Sequence, residues 1–191
     1  PDIGEPVTGI VAAETPSTLA AAEYFLADKL DRVSPRIRER MKFEIDRRFL
    51  DVMYQRRDFW WMGYDGSFTN NWNPWVVSNY INTILVFEED NDMRARYIYK
   101  AMEILDNFLN IYPSDGGCDE GPAYWNHAAG RAFLCLEQLY LATDGKINVY
   151  NHSLIKNMGE YIWKAYIHNS WFVNFADAPA SMKPDPHLVF R

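Results

Sequence analysis

Apolar residues recur at spacings of three and four over most of this chain, which is the period of helices that bury one face. Leu19, Ala22, Tyr24, Phe25, Leu26 and Leu30 make one such stripe, running to about Val33 from a start signal at Thr15-Pro16. Ile37, Met41, Ile45, Phe49, Val52 and Met53 make a second stripe after Ser34-Pro35. In both, a hydroxyl that can cap precedes a proline that has no N–H to lose. These two helices are expected to form a hairpin. Asn73-Pro74 and Gly121-Pro122 repeat the start signal more weakly. The pattern predicts a third helix from about Pro74 to Phe87, a fourth from about Met93 to Tyr112, a fifth from Pro122 to Ala142 and a sixth from about Ser153 to His168. No alternating apolar run bounded by turn signals is long enough to build a sheet. The expected fold class is all-α.

The joints Glu88-Glu89-Asp90-Asn91 and Thr143-Asp144-Gly145-Lys146 are short, and short joints favour antiparallel neighbours. Two longer loops, residues 57–73 and 113–121, break the regularity. Each follows one helix and precedes a proline-marked one, so an array of hairpins would deliver both to the same end, where a cleft would lie. Hairpins that stack and close into a ring make an (α/α) toroid, burying a shared core as other repeat architectures do. The helices read here are too few to close one, so the expectation is an open arc or an incomplete toroid over residues 1–191.

At 191 residues, 48% of them hydrophobic and 24% charged, the chain has the balance of one ordinary globular domain. Its aromatic share, 16% with 7 Trp and 12 Tyr, changes the picture. Flat rings with a polar handle suit the faces and hydroxyls of sugars, although they serve cores equally well. A net charge of −7 argues against nucleic acid, which needs a basic face to neutralise phosphates. The basic residues Arg36, Arg38, Arg40, Lys42, Arg47, Arg48, Arg56 and Arg57 are interleaved with Glu39, Glu44, Asp46 and Asp51. They read as a solvated face of paired charges. No stretch is apolar for long enough to span a membrane, and no signal peptide is visible. Cys118 and Cys135 fit no zinc spacing. They leave open a single disulfide or two free thiols. No His/Cys cluster has ligand spacing, so neither a metal nor a cofactor is expected.

Two segments carry candidate chemistry. Asn70-Asn71-Trp72-Asn73 sets three carboxamides at the mouth of a helix, where Asn73 fits an N-cap and Asn70 and Asn71 fit a turn. Asp115-Gly116-Gly117-Cys118-Asp119-Glu120-Gly121-Pro122-Ala123-Tyr124-Trp125-Asn126-His127 runs from a glycine turn into a helix start. Glycines admit a ligand close to the backbone, and a helix start favours anions. Tyr124 and Trp125 read equally as core packing, and Glu120 as an acidic residue in a first helical turn. His127 follows Tyr124 by three positions and shares its helix face. His152 and His168 read as structural or exposed.

Taken together the segments resemble the heparinase II/III and alginate-lyase superfamily of polysaccharide lyases. There an N-N-W-N or N-N-H type turn is followed, about fifty residues later, by D-G-x-x-x-E-G-P-x-Y-W. Both are present here in order, and the Asn174-Phe175-Ala176-Asp177-Ala178 segment is also similar to the family. The resemblance implies a lyase acting on a uronic-acid polysaccharide: it removes the proton at C5, expels the O4-linked sugar and leaves a 4,5-unsaturated uronate. Asn71 then resembles the carboxamide that neutralises the substrate carboxylate, with Asn70 beside it, and donors aimed at developing charge lower the barrier. Tyr124 resembles the general base and acid, a role that needs nearby positive charge because tyrosine otherwise deprotonates near pH 10. Glu120, Trp72, Trp125 and His127 are implied to bind substrate. Two positions depart from the pattern: His127 stands where another residue is usual, and Trp72 stands where alginate-acting relatives show histidine. The resemblance further implies truncation before a C-terminal β-sandwich, a secreted or periplasmic location and an anionic polysaccharide partner; it leaves the oligomeric state open. Two other readings remain: an (α/α) glycoside hydrolase using two of Asp65, Asp115, Asp119 and Glu120, and a carbohydrate-binding domain without catalysis.

Overall fold

The structure, a computed structural model, describes residues 6–66 and 68–187. In chain order it contains α1 (Ile10–Val33), α2 (Arg36–Ile45), a π turn (Asp46–Leu50) that runs on into α3 (Asp51–Gln55), and a 3₁₀ turn (Trp60–Met62). These are followed by α4 (Trp72–Phe87), α5 (Asn91–Ile111), a second 3₁₀ turn (Pro122–Asn126), α6 (Ala129–Ala142), α7 (Ser153–Lys164) and a hairpin of β1 (Tyr166–His168) and β2 (Trp171–Phe172). The protein is mostly helical, in keeping with the all-α class. The expected truncation at Arg191 falls outside the described residues. Among the described residues, no helix is long and apolar enough to cross a membrane.

The segment that forms α4 contains no Asp, Glu, Lys or Arg, and a helix without a charged face must be covered all round. It lies at the centre, packed by α1, α5 and α6. Val76, Val77, Tyr80, Ile81 and Ile84 are wholly buried along it. Its far end is tied down by Lys42 of α2, whose Nζ donates to the Phe87 carbonyl at 2.7 Å. The basic run is the expected face of paired charges: Glu44 accepts from Arg40, Arg47 and Arg48, and Lys42 reaches Asp46 at 3.7 Å.

Three boundaries differ from the sequence pattern. Thr15-Pro16 lies inside α1, because the hydroxyls of Thr15 and Thr18 bond back to the Val11 and Glu14 carbonyls at 3.2 and 2.9 Å instead of capping. The helix expected over Pro122 to Ala142 is broken in two, since Ala128, at φ −95° and ψ −89°, leaves helical geometry. The last helix stops at Lys164 and not at His168. Asn169 takes a left-handed φ of 54° and turns the chain into the hairpin, whose register pairs Tyr166 with Phe172. The segment after it is then bound by Phe172 N donating to the Ala180 carbonyl at 2.9 Å. Finally, Cys118 and Cys135 are both free and buried, so no disulfide joins them. Burial pushes the Cys118 thiol up to about 12.

The aromatic loop between α3 and α4 is held by α5. Asn107 donates to the Met62 carbonyl at 2.8 Å. The Tyr64 hydroxyl donates to Glu103 at 3.2 Å, and its ring lies beneath Arg57 and Lys100 at 4.6 and 4.3 Å. Lys100 is only 2% exposed, and its Nζ has no hydrogen-bond partner among the described residues. Burial, reinforced by Arg57, lowers its pKa to about 8. A lysine depressed in the folded state is bound by more protons when unfolded, so stability rises with pH between about 8 and the ordinary value near 10.4. Below that window the charged, unpartnered amine costs about 1–3 kcal/mol, offset in part by the Tyr64 ring. Lys100→Met should therefore raise stability at neutral pH by on the order of 1 kcal/mol and flatten the alkaline rise. Urea denaturation at neutral and alkaline pH measures both; a variant less stable than the parent at neutral pH would contradict this account.

Candidate functional site

The three carboxamides around the start of α4 have three separate jobs. Asn70 makes a turn, its Oδ1 accepting from the Trp72 backbone N–H at 3.0 Å. Asn73 is no N-cap: it lies within α4, wholly buried, and its Nδ2 bridges the Trp61 and Ile104 carbonyls at 3.0 and 2.8 Å. The bridge wins because both carbonyls are buried acceptors that water cannot reach. Asn71 occupies the cap position, yet its side chain does not cap. Its Nδ2 donates instead to the Glu120 carboxylate, so the two long loops meet at one place. Asn71 is 5% exposed, and Glu120 is half-buried.

Burial moves the Glu120 carboxyl above the usual carboxylate range, with Asp119 and Asp177 adding to the shift and the Asn71 amide opposing it. The presence of Asp177 follows from how the chain closes. Gly121 has φ +91°, and a Cβ there would stand 2.5 Å from the Phe175 carbonyl oxygen and 2.7 Å from the Ala178 Cβ. Only glycine lets the Asn174–Ala178 segment lie this close to the turn. A second glycine, Gly116, admits the α7 backbone at Asn157 in the same way.

Beyond Gly121 the 3₁₀ turn sets Tyr124 and His127 side by side, with ring centroids 5.9 Å apart in an edge-on arrangement. His127 stacks on Trp75 of α4 at 4.5 Å, the planes within 5°. Burial and the charge of Arg131 lower the His127 pKa, which favours the uncharged ring, one of whose nitrogens can accept a hydrogen bond. Trp75 is fixed by its Nε1 donating to Glu14 of α1 at 3.0 Å, and the Arg131 guanidinium lies over its ring at 5.0 Å.

Trp125 does not belong with these groups. It is 2% exposed, its Nε1 donates to the Met158 carbonyl at 2.8 Å, and it packs near Phe133. With its ring enclosed and its one donor spent on α7, Trp125 packs the core, which corrects the expected binding role. Trp72 is half-buried and tilted against the half-exposed Trp60 at 5.4 Å. His152 is exposed and structural, its Nδ1 capping α7 by accepting from the Leu154 N–H at 3.3 Å. Sequence reasoning missed Trp75 and Arg131. The signal was present: Tyr124, His127 and Arg131 follow at spacings of three and four, and Trp75 lies one helical turn beyond Asn71.

Among the described residues no group of three or more His, Cys, Asp or Glu is arranged to hold a metal ion. The site therefore offers a carboxamide hydrogen-bonded to a carboxyl group of raised pKa, a tyrosine hydroxyl, an imidazole and an arginine. These are the elements of proton transfer next to an anionic group. No protein-family model matches the chain, and no curated protein matches it.

Proposed function

We propose that this chain is the helical catalytic part of a polysaccharide lyase, an arc of an (α/α) toroid acting outside the cytoplasm on an anionic, uronic-acid-containing polymer. The observation that carries the reading is the Asn71–Glu120 hydrogen bond, which joins two segments 49 positions apart; these are the segments whose combined pattern resembles the lyase superfamily. In the reaction the Tyr124 oxygen, as phenolate, takes the C5 proton. The C5–H electron pair forms the C4–C5 double bond, the C4–O4 bond breaks, and the same proton passes from Tyr124 to the leaving O4. Asn71 and its neighbours counter the charge that builds on the substrate carboxylate, and Glu120 holds the Asn71 amide in one orientation.

The test is incubation of the protein with polymers of glucuronate, galacturonate, mannuronate and guluronate, followed by ultraviolet absorbance of the unsaturated product. Growth of that absorbance with one of them is the expected result. The raised Glu120 carboxyl beside Asp119 favours a second reading, in which the two act as acid and base of a glycoside hydrolase. New reducing ends without ultraviolet absorbance would select it, and binding without any cleavage would select a carbohydrate-binding domain.

A further inference from the structure

Trp75, Tyr124, His127 and Arg131 are all partly exposed, and they form one continuous set of contacts from Arg131 through Trp75 and His127 to Tyr124. Arg131 differs from most arginines of the basic run. Arg38, Arg40, Arg47, Arg48, Arg56 and Arg57 are each paired with a carboxylate. Arg131 has no hydrogen bond and no ion pair among the described residues, and its one neighbour with a defined geometry is the face of Trp75. The indole that carries it is immobilised on α1 by Glu14. A guanidinium resting on an aromatic face keeps its planar fork of donors pre-organised, and that fork matches a carboxylate in two-point geometry. The acidic groups of the site, Asp119, Glu120 and Asp177, belong to the other segments. Arg131 thus adds a cationic pole to an otherwise acidic set of side chains, linked to His127 through Trp75.

We infer that Arg131, held on Trp75, binds a carboxylate of the sugar chain and so makes the site selective for uronates over neutral sugars. The choice of ligand class rests on the lyase reading; the recognition itself does not require cleavage. A carboxylate held at Arg131 lays the sugar chain along the row of Trp75, His127 and Tyr124, and the guanidinium draws a polyanion into a site that its acidic residues would otherwise repel.

The experiment is calorimetric titration of the protein with a uronate oligosaccharide and with its methyl ester, for the parent, Arg131→Met and Arg131→Lys. The parent should bind the acid at least tenfold more tightly than the ester, since a charge-assisted pair contributes about 1.5–3 kcal/mol and tenfold is about 1.4. Arg131→Met should abolish that preference and leave ester binding unchanged, while Arg131→Lys restores part of it. Equal binding of acid and ester by the parent, no binding of either, or a full preference in folded Arg131→Met would overturn the assignment. A misfolded variant leaves the acid-against-ester comparison on the parent to decide. A parent that prefers the acid but makes no unsaturated product would remove the lyase reading alone. Product formation without any acid preference would remove this one alone.

Discussion

Tyr124→Phe should lower the rate of elimination by about 10²–10⁴-fold, the range that a positioned general acid and base contributes, with little change in affinity for oligosaccharide or in thermal stability. The substitution deletes one hydroxyl from a half-buried ring that already packs edge-on against His127. The ring contacts survive. What disappears is the oxygen that removes the C5 proton and returns it to O4. A drop in kcat at constant KM is the signature of an interaction made only in the transition state. If Tyr124→Phe forms unsaturated product at the parent rate, the proton is carried by another group and the mechanism proposed for this site is wrong.

The second large effect concerns folding. Asn73→Asp should destabilise the protein by about 4 kcal/mol or more, a large share of the 5–15 kcal/mol typical of a domain. The Asn73 amide satisfies two buried carbonyls, those of Trp61 and Ile104. A carboxylate in its place strips both of their donor at about 1–3 kcal/mol each and confronts them with a buried oxygen that must stay charged or take up a proton. Asn73→Leu removes the donor without adding a charge and should cost less. Chemical denaturation of the two variants gives the comparison; a loss below about 1 kcal/mol for Asn73→Asp would mean that the carbonyls find other donors. Because Trp61 belongs to the aromatic loop, the same substitution should loosen the turn that carries Asn70 and Asn71.

The helices were legible where the sequence states a physical necessity. An uncharged stretch such as Trp72–Phe87 has no face that tolerates water, so its central position follows from composition. The stripe through Ile37 to Met53 likewise survives intact, even across the π turn at Asp46–Leu50. What local pattern could not convey is partnership. Asn73 ahead of a proline looks like a cap, and only the arrival of two carbonyls from residues 12 and 31 positions away makes it a brace. Trp125, flanked by polar residues, looks available, and only the Met158 carbonyl on α7 shows it to be core. The hairpin after Lys164 was hidden for a related reason: its strands are two and three residues long, too short to show an alternation. The junction of Asn71 with Glu120 was readable only as two motifs of a resembling family, and Arg131 only as the third member of a stripe begun by Tyr124.

The close approach of the Asn174–Ala178 segment to Gly121 has a consequence for the order of assembly. On a ribosome the Asn71 turn and the Glu120 loop emerge well before residue 174. The nascent chain can therefore form its helices while the ground beside Glu120 is still open to water, and Asp177 arrives only when the Asn174–Ala178 segment is laid across the turn. Domains fold as their segments become available, and contacts of long sequence separation close late. The bareness of Gly121 thus keeps room for a segment that reaches the turn after both loops are made, and only then does the Glu120 carboxyl gain Asp177 as a neighbouring charge.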